Sequence, residues 1–455
     1  MKNYHNYLIA LATLLLFIFY FEYDILSAIA VGIFAFWICS LFIRANDSLP
    51  LKELFLSLYA LQFLFGAALT YNGWDEYNLY DNRMRISSED YFTYVIPVFL
   101  SFCLGFNLFV KKNSIKINRN QIDQWLNAHP QAPYYFIAVG FLISFTLDFI
   151  PSSLNFVVYI LSGFKFVGLF ILLMSFKTVK PILMAVIYGS ILVSSFQGAM
   201  FHDLLIWIIM VSLLLVYRYK PNWTLKIVGI LVFGLFAIFI QSIKTGLRAQ
   251  TWTGNKEASV SLVEGITNDV IRNNRGLLSV ENLGPNIIRI NQGWVLASAI
   301  DYVPLNVKHT HGELLWGYIY SAIVPRVFDA NKLNSGGHDL VNKYAGREIA
   351  GDTSVSLGLF SDAYVDFGPL GAIICVFFFG LLYGYILKQF YVKSKTYPIL
   401  ILFVILAFIY PIRPDTDTGS ALGNLFKTIM LLWVVFRLYP SYFKMPLKNN
   451  SIQSS

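Results

Sequence analysis

The chain has 455 residues, 56% of them hydrophobic and 13% charged, and its mean hydropathy is +0.59. Those values exclude a soluble multidomain protein of this length and point to a polytopic membrane protein. The formal charge of +8 would raise nucleic acid as a partner of a soluble chain, but here its meaning depends on which side of a membrane the charges occupy. Cys39, Cys103 and Cys375 all fall in apolar stretches, which excludes a disulfide framework or a C-x-x-C site.

A hydrocarbon core about 30 Å thick needs roughly 20 residues of helix. Twelve stretches meet or approach that need: residues 7–21, 25–43, 54–70, 91–110, 134–150, 154–176, 181–196, 203–217, 224–241, 369–387, 398–411 and 421–437. The expected fold is therefore an all-α polytopic membrane protein of about twelve transmembrane helices. Its expected divisions are a nine-span region (1–241), a large outer loop with short amphipathic helices (242–367), a three-span region (368–438) and a cytoplasmic tail (439–455).

Lys and Arg in short loops concentrate on the cytoplasmic side. With the N-terminus inside, the inner segments hold 18 Lys or Arg against Asp47, Glu53 and Asp123. The short outer loops hold Arg83, Arg85 and Arg413 against nine acids, among them Glu22, Asp24, Asp90 and Asp417. This alternation predicts an even number of spans with both termini cytoplasmic.

Segment 242–367 is the one long polar stretch, with 11 basic and 12 acidic residues. Loops of such length are usually functional. Ile287, Ile290, Trp294 and Ala297 recur at helical spacing and predict an amphipathic helix lying at the membrane surface. Residues 314–324 are apolar but too short to span, which reads as interfacial or re-entrant. Residues 355–367 predict a short helix leading into the tenth span, with Asp362 and Asp366 on one face.

The chemistry-bearing residues of this segment are cations and proton-transfer groups. Arg248, Arg289, Arg326 and Lys332 offer charge to phosphate oxygens, which guanidinium groups match in bidentate geometry, or else are ordinary solvated side chains. His309, His311, Glu313, His338 and Asp362 could serve as a base for an acceptor hydroxyl. His309 and His311 stand at i and i+2 without a nearby Cys or second cluster, so they do not make a metal site, and no cofactor is expected. Within the spans, Lys165 and Lys427 are costly charges that bind diphosphate or line a substrate path, or else pair with acids or carbonyls.

The stretch Arg289-Ile-Asn-Gln-Gly-Trp294, then Gly312-Glu313, then Ile323-Val-Pro-Arg326 with Asp329 to Lys332, and finally Thr353-Ser354 with Asp362-Ala-Tyr-Val-Asp-Phe-Gly368, resembles the Wzy-type oligosaccharide repeat-unit polymerases. The resemblance covers residues 241–385, and the rest matches in hydropathy and span number alone. It implies a metal-independent, inverting glycosyl transfer at the outer face of the bacterial cytoplasmic membrane, using undecaprenyl-diphosphate-linked repeat units. By the same resemblance Arg289 and Arg326 would hold diphosphate, with Arg248 assisting, and Asp362 would occupy a position where the family often has an acid. It implies membrane lipid, a chain-length regulator and a flippase as partners, and no nucleic acid. The chain departs from the family in Gln197-Gly198-Ala199-Met200, where many members carry an Arg.

Two other readings compete. An O-antigen ligase shares the donor and the large outer loop. A twelve-span transporter shares the layout, although carriers usually show two related halves, and nine spans before the loop against three after it show none.

Overall fold

A computed structural model describes residues 4–74, 82–110, 116–146, 155–176, 181–197, 201–248, 250, 260–273, 283–284, 287, 290–324, 328–329, 332–333, 338–349 and 355–445. Among them every regular element is helical. In chain order these are α1 (Tyr4–Phe19), α2 (Ile25–Arg44), α3 (Leu51–Gly73), α4 (Ser88–Phe109), α5 (Arg119–Ala128), α6 (Ala132–Phe145), α7 (Asn155–Ser162), α8 (Phe164–Met174), α9 (Pro181–Gln197), α10 (His202–Tyr219) and α11 (Trp223–Arg248). Then come α12 (Val260–Asn273), α13 (Gly293–Tyr302), α14 (Glu313–Ile323), α15 (His338–Ala345), α16 (Leu359–Ser394), α17 (Leu400–Phe408), α18 (Thr418–Leu438) and α19 (Pro440–Phe443).

A helix lies in each of the twelve stretches that hydropathy marks. Seven of the described helices are long and apolar enough to cross a membrane: α2, α3, α4, the pair α7–α8, α11, α16 and α18. His5–Phe19, Ala132–Phe145 and Pro181–Phe196 are shorter apolar helices. Helix α17, in the eleventh stretch, departs furthest from spanning length. Its nine residues rise about 14 Å, roughly half of a hydrocarbon core. All nine are buried, and the non-helical chain after them, through Pro411 and Pro414, is enclosed by protein. That enclosure is the condition under which irregular backbone survives at membrane depth. The Asn424 amide donates to the carbonyls of Leu406 (3.1 Å) and Ala407 (2.9 Å), meeting acceptors that the short helix leaves open.

Several charges that hydropathy sorts by side have local work at helix ends. The Asp24 carboxylate accepts from the Ser27 N–H at 2.9 Å and starts α2, and Asp417 accepts from the Ser420 N–H at 2.8 Å and starts α18. Lys52 and Glu53 are buried at the start of α3, where Lys52 donates to Asn107 Oδ1 (2.7 Å) and Glu53 pairs with Arg44.

The tightest packing joins α4 to α16. A methyl at Gly380 would lie 2.5 Å from the Phe102 carbonyl, one at Gly384 2.9 Å from the Phe106 carbonyl, and one at Gly105 would collide with the Phe377 carbonyl. Small residues at this spacing bring two apolar helices to backbone contact, the main source of attraction where water cannot drive association.

Of segment 242–367, the described stretch 290–303 is packed into the bundle rather than laid over it. The surface helix expected around Trp294 is instead buried: Gly293 through Ala299 of α13 are all inside. The reason is polar anchoring. Two π-helical turns in α3 displace its ladder, and the Gln62 carbonyl accepts from the Gln292 N–H at 3.1 Å while Thr70 Oγ1 accepts from Asn291 Nδ2 at 2.9 Å. Gly66 permits the contact, since a Cβ there would stand 2.9 Å from Asn291 Cα. Buried Arg347 ties α13 to the chain before α4, donating to Ser298 Oγ (3.0 Å) and to the Arg83 carbonyl (2.7 Å).

Replacing Gly380 or Gly384 by Leu is expected to destabilise the detergent-extracted protein by about 1–3 kcal/mol or more through overpacking. Leu at Gly229 or Gly234 of α11, where an added Cβ meets nothing within 4 Å, is the control. Thermal unfolding that drops equally for both pairs contradicts the packing account.

Candidate functional site

The site grows from a break in α16. Gly368 has φ 66° and ψ −172°, a left-handed turn that glycine adopts without a Cβ penalty, and Pro369 follows with no N–H to donate. The Val365 carbonyl therefore lacks its helical partner and accepts instead from the Thr310 N–H (3.2 Å), with His309 Nδ1 also at 3.2 Å. The next carbonyl, Asp366 O, accepts from the His311 N–H at 2.9 Å. The break thus binds the 309–311 segment as a strap.

Asp362 and Asp366 stand one turn apart above the break, and each caps a different helix. The Asp366 carboxylate accepts from the N–H groups of Gly312 (3.2 Å), Leu314 (3.1 Å) and Leu315 (2.7 Å), and from the Thr310 hydroxyl. It closes the N-terminus of α14. The Asp362 carboxylate accepts from the Thr418 N–H (3.0 Å) and hydroxyl (2.7 Å) at the start of α18, and from the Tyr318 hydroxyl (3.1 Å). Burial first, and the Asp362 charge next, push the Tyr318 pKa well above its ordinary value, so this hydroxyl stays a donor. Both carboxylates are buried, at 3% and 1% exposure, and both face helix N-termini whose dipoles favour negative charge.

The remaining expected site residues fall in different places. Lys332 is buried, and its ammonium donates to the Ser321 carbonyl (2.7 Å) and to the Val324 carbonyl at the C-terminal end of α14. With Asp366 at the other pole, α14 is clamped by charge of the favourable sign at both ends. Lys165 sits between α6 and α8, donating to Ser144 Oγ (3.2 Å) and lying 5.2 Å from the Phe141 ring centroid. Arg289, Arg326 and residues 198–200 lie outside the described residues, as does the side chain of Arg248 at the end of α11.

His311 and Glu313 are exposed and flank Gly312. Two consecutive residues there have positive φ, His311 at 52° and Gly312 at 97°. A Cβ on Gly312 would touch the Phe367 ring at 3.2 Å. Phe367 in turn lines a cavity of about 530 Å³ between α14, α16 and α18, walled by apolar side chains such as Leu315, Ile319, Ile374, Phe378 and Phe426. From Phe367 to Leu382 it follows α16 for about 22 Å. One end of a long apolar groove therefore abuts a turn carrying an imidazole and a carboxylate. Among the described residues no three His, Cys, Asp or Glu side chains gather into a metal-holding group.

Sequence reasoning places Asp362 and Asp366 on a shared face, which holds, but misses Thr310, Tyr318, Thr418 and Phe367. The Gly368-Pro369 pair was the available signal: a helix break inside an apolar stretch frees carbonyls that some other segment must satisfy.

Asp362→Ala removes the acceptor from the Tyr318 hydroxyl and from two donors of Thr418, at about 1–3 kcal/mol per buried donor left unmet. The extracted variant is expected to unfold at a lower temperature, with Asp362→Asn intermediate. An unchanged unfolding temperature for Asp362→Ala contradicts the capping role.

The sequence profile of a domain of unknown function, DUF8712, matches residues 60–412, from within α3 to the chain just after α17. No curated protein matches the chain. No solved structure matches it. The match takes in most of the chain, including the break, both carboxylates and the α14 and α16 walls of the groove, and the protein belongs to the DUF8712 family.

Proposed function

We propose that this protein is a Wzy-type polymerase. It joins undecaprenyl-diphosphate-linked oligosaccharide repeat units by glycosyl transfer at the outer face of the bacterial cytoplasmic membrane, with twelve spans and both termini cytoplasmic. The observation that carries the reading is the groove between α14, α16 and α18, apolar along about 22 Å and ending beside the exposed His311 and Glu313. That is the division of an amphiphilic substrate: a prenyl chain in the groove and a polar head at the turn.

In this reading the donor diphosphate lies at the headgroup level, where Arg248, Arg289 and Arg326 meet its charge. Guanidinium groups in a partly desolvated site stabilise the negative charge that builds on the leaving diphosphate, so the transfer is metal-independent. An acceptor hydroxyl loses its proton to a group at the turn as its oxygen attacks the anomeric carbon. Asp362 and Lys332 contribute by holding α14 and α18 in place as groove walls. The partners are the lipid-linked oligosaccharide and membrane lipid, together with a flippase that delivers units and a chain-length regulator.

Arg289→Ala and Arg326→Ala are expected to reach the membrane at wild-type levels yet to abolish long chains, leaving single repeat units. Glycan electrophoresis beside immunoblotting reads both quantities. Normal chain length in both variants removes the diphosphate role, and loss of all glycan transfer, single units included, favours a ligase.

A further inference from the structure

We propose that Asp366 is a positioning residue whose clamp on the 310–315 turn presents His311 as the base that deprotonates the acceptor hydroxyl. The inference rests on the polymerase reading and decides among five groups that the sequence leaves open: His309, His311, Glu313, His338 and Asp362. His309 is turned to the Val365 carbonyl through Nδ1 at 3.2 Å, and His338 stands at the start of α15, 3.4 Å from Asp339. Asp362 is 3% exposed, and both its oxygens are occupied by Thr418 and Tyr318. An acceptor sugar cannot reach it without dismantling the start of α18. His311 and Glu313 are exposed beside the groove. Between these two, the backbone distinguishes His311.

A non-glycine residue at φ 52° carries a steric cost, and such residues persist where surrounding bonds over-determine them. Most of those bonds come from one residue, with the Val365 carbonyl adding the Thr310 N–H. The Asp366 carbonyl takes the His311 N–H, and the Asp366 carboxylate takes the N–H groups of Gly312, Leu314 and Leu315 and the Thr310 hydroxyl. Main chain and side chain of a single aspartate thus grip the turn before, at and after His311. They do so at the helix break, which fixes the turn relative to Phe367 and the groove. Glu313 has no comparable restraint on its conformation, since it occupies the ordinary first turn of α14.

The step balances without a further reactant. The acceptor O–H proton passes to the His311 imidazole, and the acceptor oxygen forms its bond to the anomeric carbon. The bond from that carbon to the diphosphate oxygen breaks, and the prenyl diphosphate leaves with the electron pair. The imidazolium then returns its proton to solvent. The charged and titratable groups around His311 are Lys308, His309 and Glu313 on its own segment and Asp366 on α16.

The test uses a deletion strain of the source organism carrying wild type, His311→Asn, Asp366→Asn or Thr310→Val, read as polymer yield against medium pH, with membrane levels by immunoblot. Asn tolerates the left-handed conformation, so His311→Asn keeps the turn and removes only the base. The wild type is expected to lose polymer as the medium is acidified, because a protonated imidazole accepts no proton. His311→Asn is expected to lose about 10²-fold or more in polymerisation. Its residual activity, and that of Asp366→Asn, should no longer show the acid decline. A merely structural defect at Asp366 lowers yield by one factor at every pH and keeps the decline, and that result overturns the positioning role. Should Asp366→Asn fail to accumulate, Thr310→Val loosens the same clamp with the carboxylate kept and is expected to lose yield and, with it, the acid decline; a retained decline there is equally contrary. Wild-type polymer from His311→Asn overturns the inference while leaving the polymerase reading intact, whereas an unchanged glycan in the deletion strain removes that reading itself.

Discussion

The break at Gly368-Pro369 is the constraint on which the site depends. A proline without an N–H leaves carbonyls that must find partners when they are buried, and the partners here are the N–H groups of a strap that precedes α14. The turn of helix before the break displays Asp362 and Asp366, and each carboxylate accepts from donors at the N-terminus of a different helix. One broken helix thereby fixes α14, α18 and the 309–312 turn relative to one another. The groove is the space left between those three helices.

That arrangement needs a rigid backing. Gly105, Gly380 and Gly384 bring α4 and α16 to backbone contact below the break, Tyr94 extends that contact above it through the Phe360 carbonyl, and Tyr364 ties α16 to the end of α13 through the Val303 carbonyl. On the far side, α13 is anchored into the displaced turns of α3 by Asn291 and Gln292. Helix α11 differs: its apolar residues from Trp223 to Val232 face outward, as expected of a helix whose neighbours are lipid. Membership of the DUF8712 family covers all of these elements except the ends of the chain.

Much of this was legible in the residues. Period and length mark every apolar helix, and the i, i+4 spacing of Asp362 and Asp366 gives their common face. Their partners were not legible, because a carboxylate that caps a helix remote in sequence has the same appearance as one that meets a substrate. Lys332 illustrates the same ambiguity: a loop cation reads as a phosphate ligand until its carbonyl partners at the end of α14 are seen. The burial of α13 was missed because hydrophobic period records an apolar face without saying whether protein or membrane covers it. The length of α17 was not legible either: hydropathy marks fourteen residues there, and the helix takes nine, all of them buried in protein.

The central claim is that the groove beside the Asp366 turn receives the prenyl chain of a diphosphate-linked substrate. A polyprenyl diphosphate carrying a photoreactive group on its chain, irradiated with the full-length protein in lipid nanodiscs and mapped by mass spectrometry, tests it directly. Adducts on groove residues such as Ile319, Phe378 or Phe426, displaced by unlabelled polyprenyl diphosphate, are the predicted result. Adducts confined to outward residues of α11 such as Leu231 and Val232, and not displaced by the competitor, contradict the account.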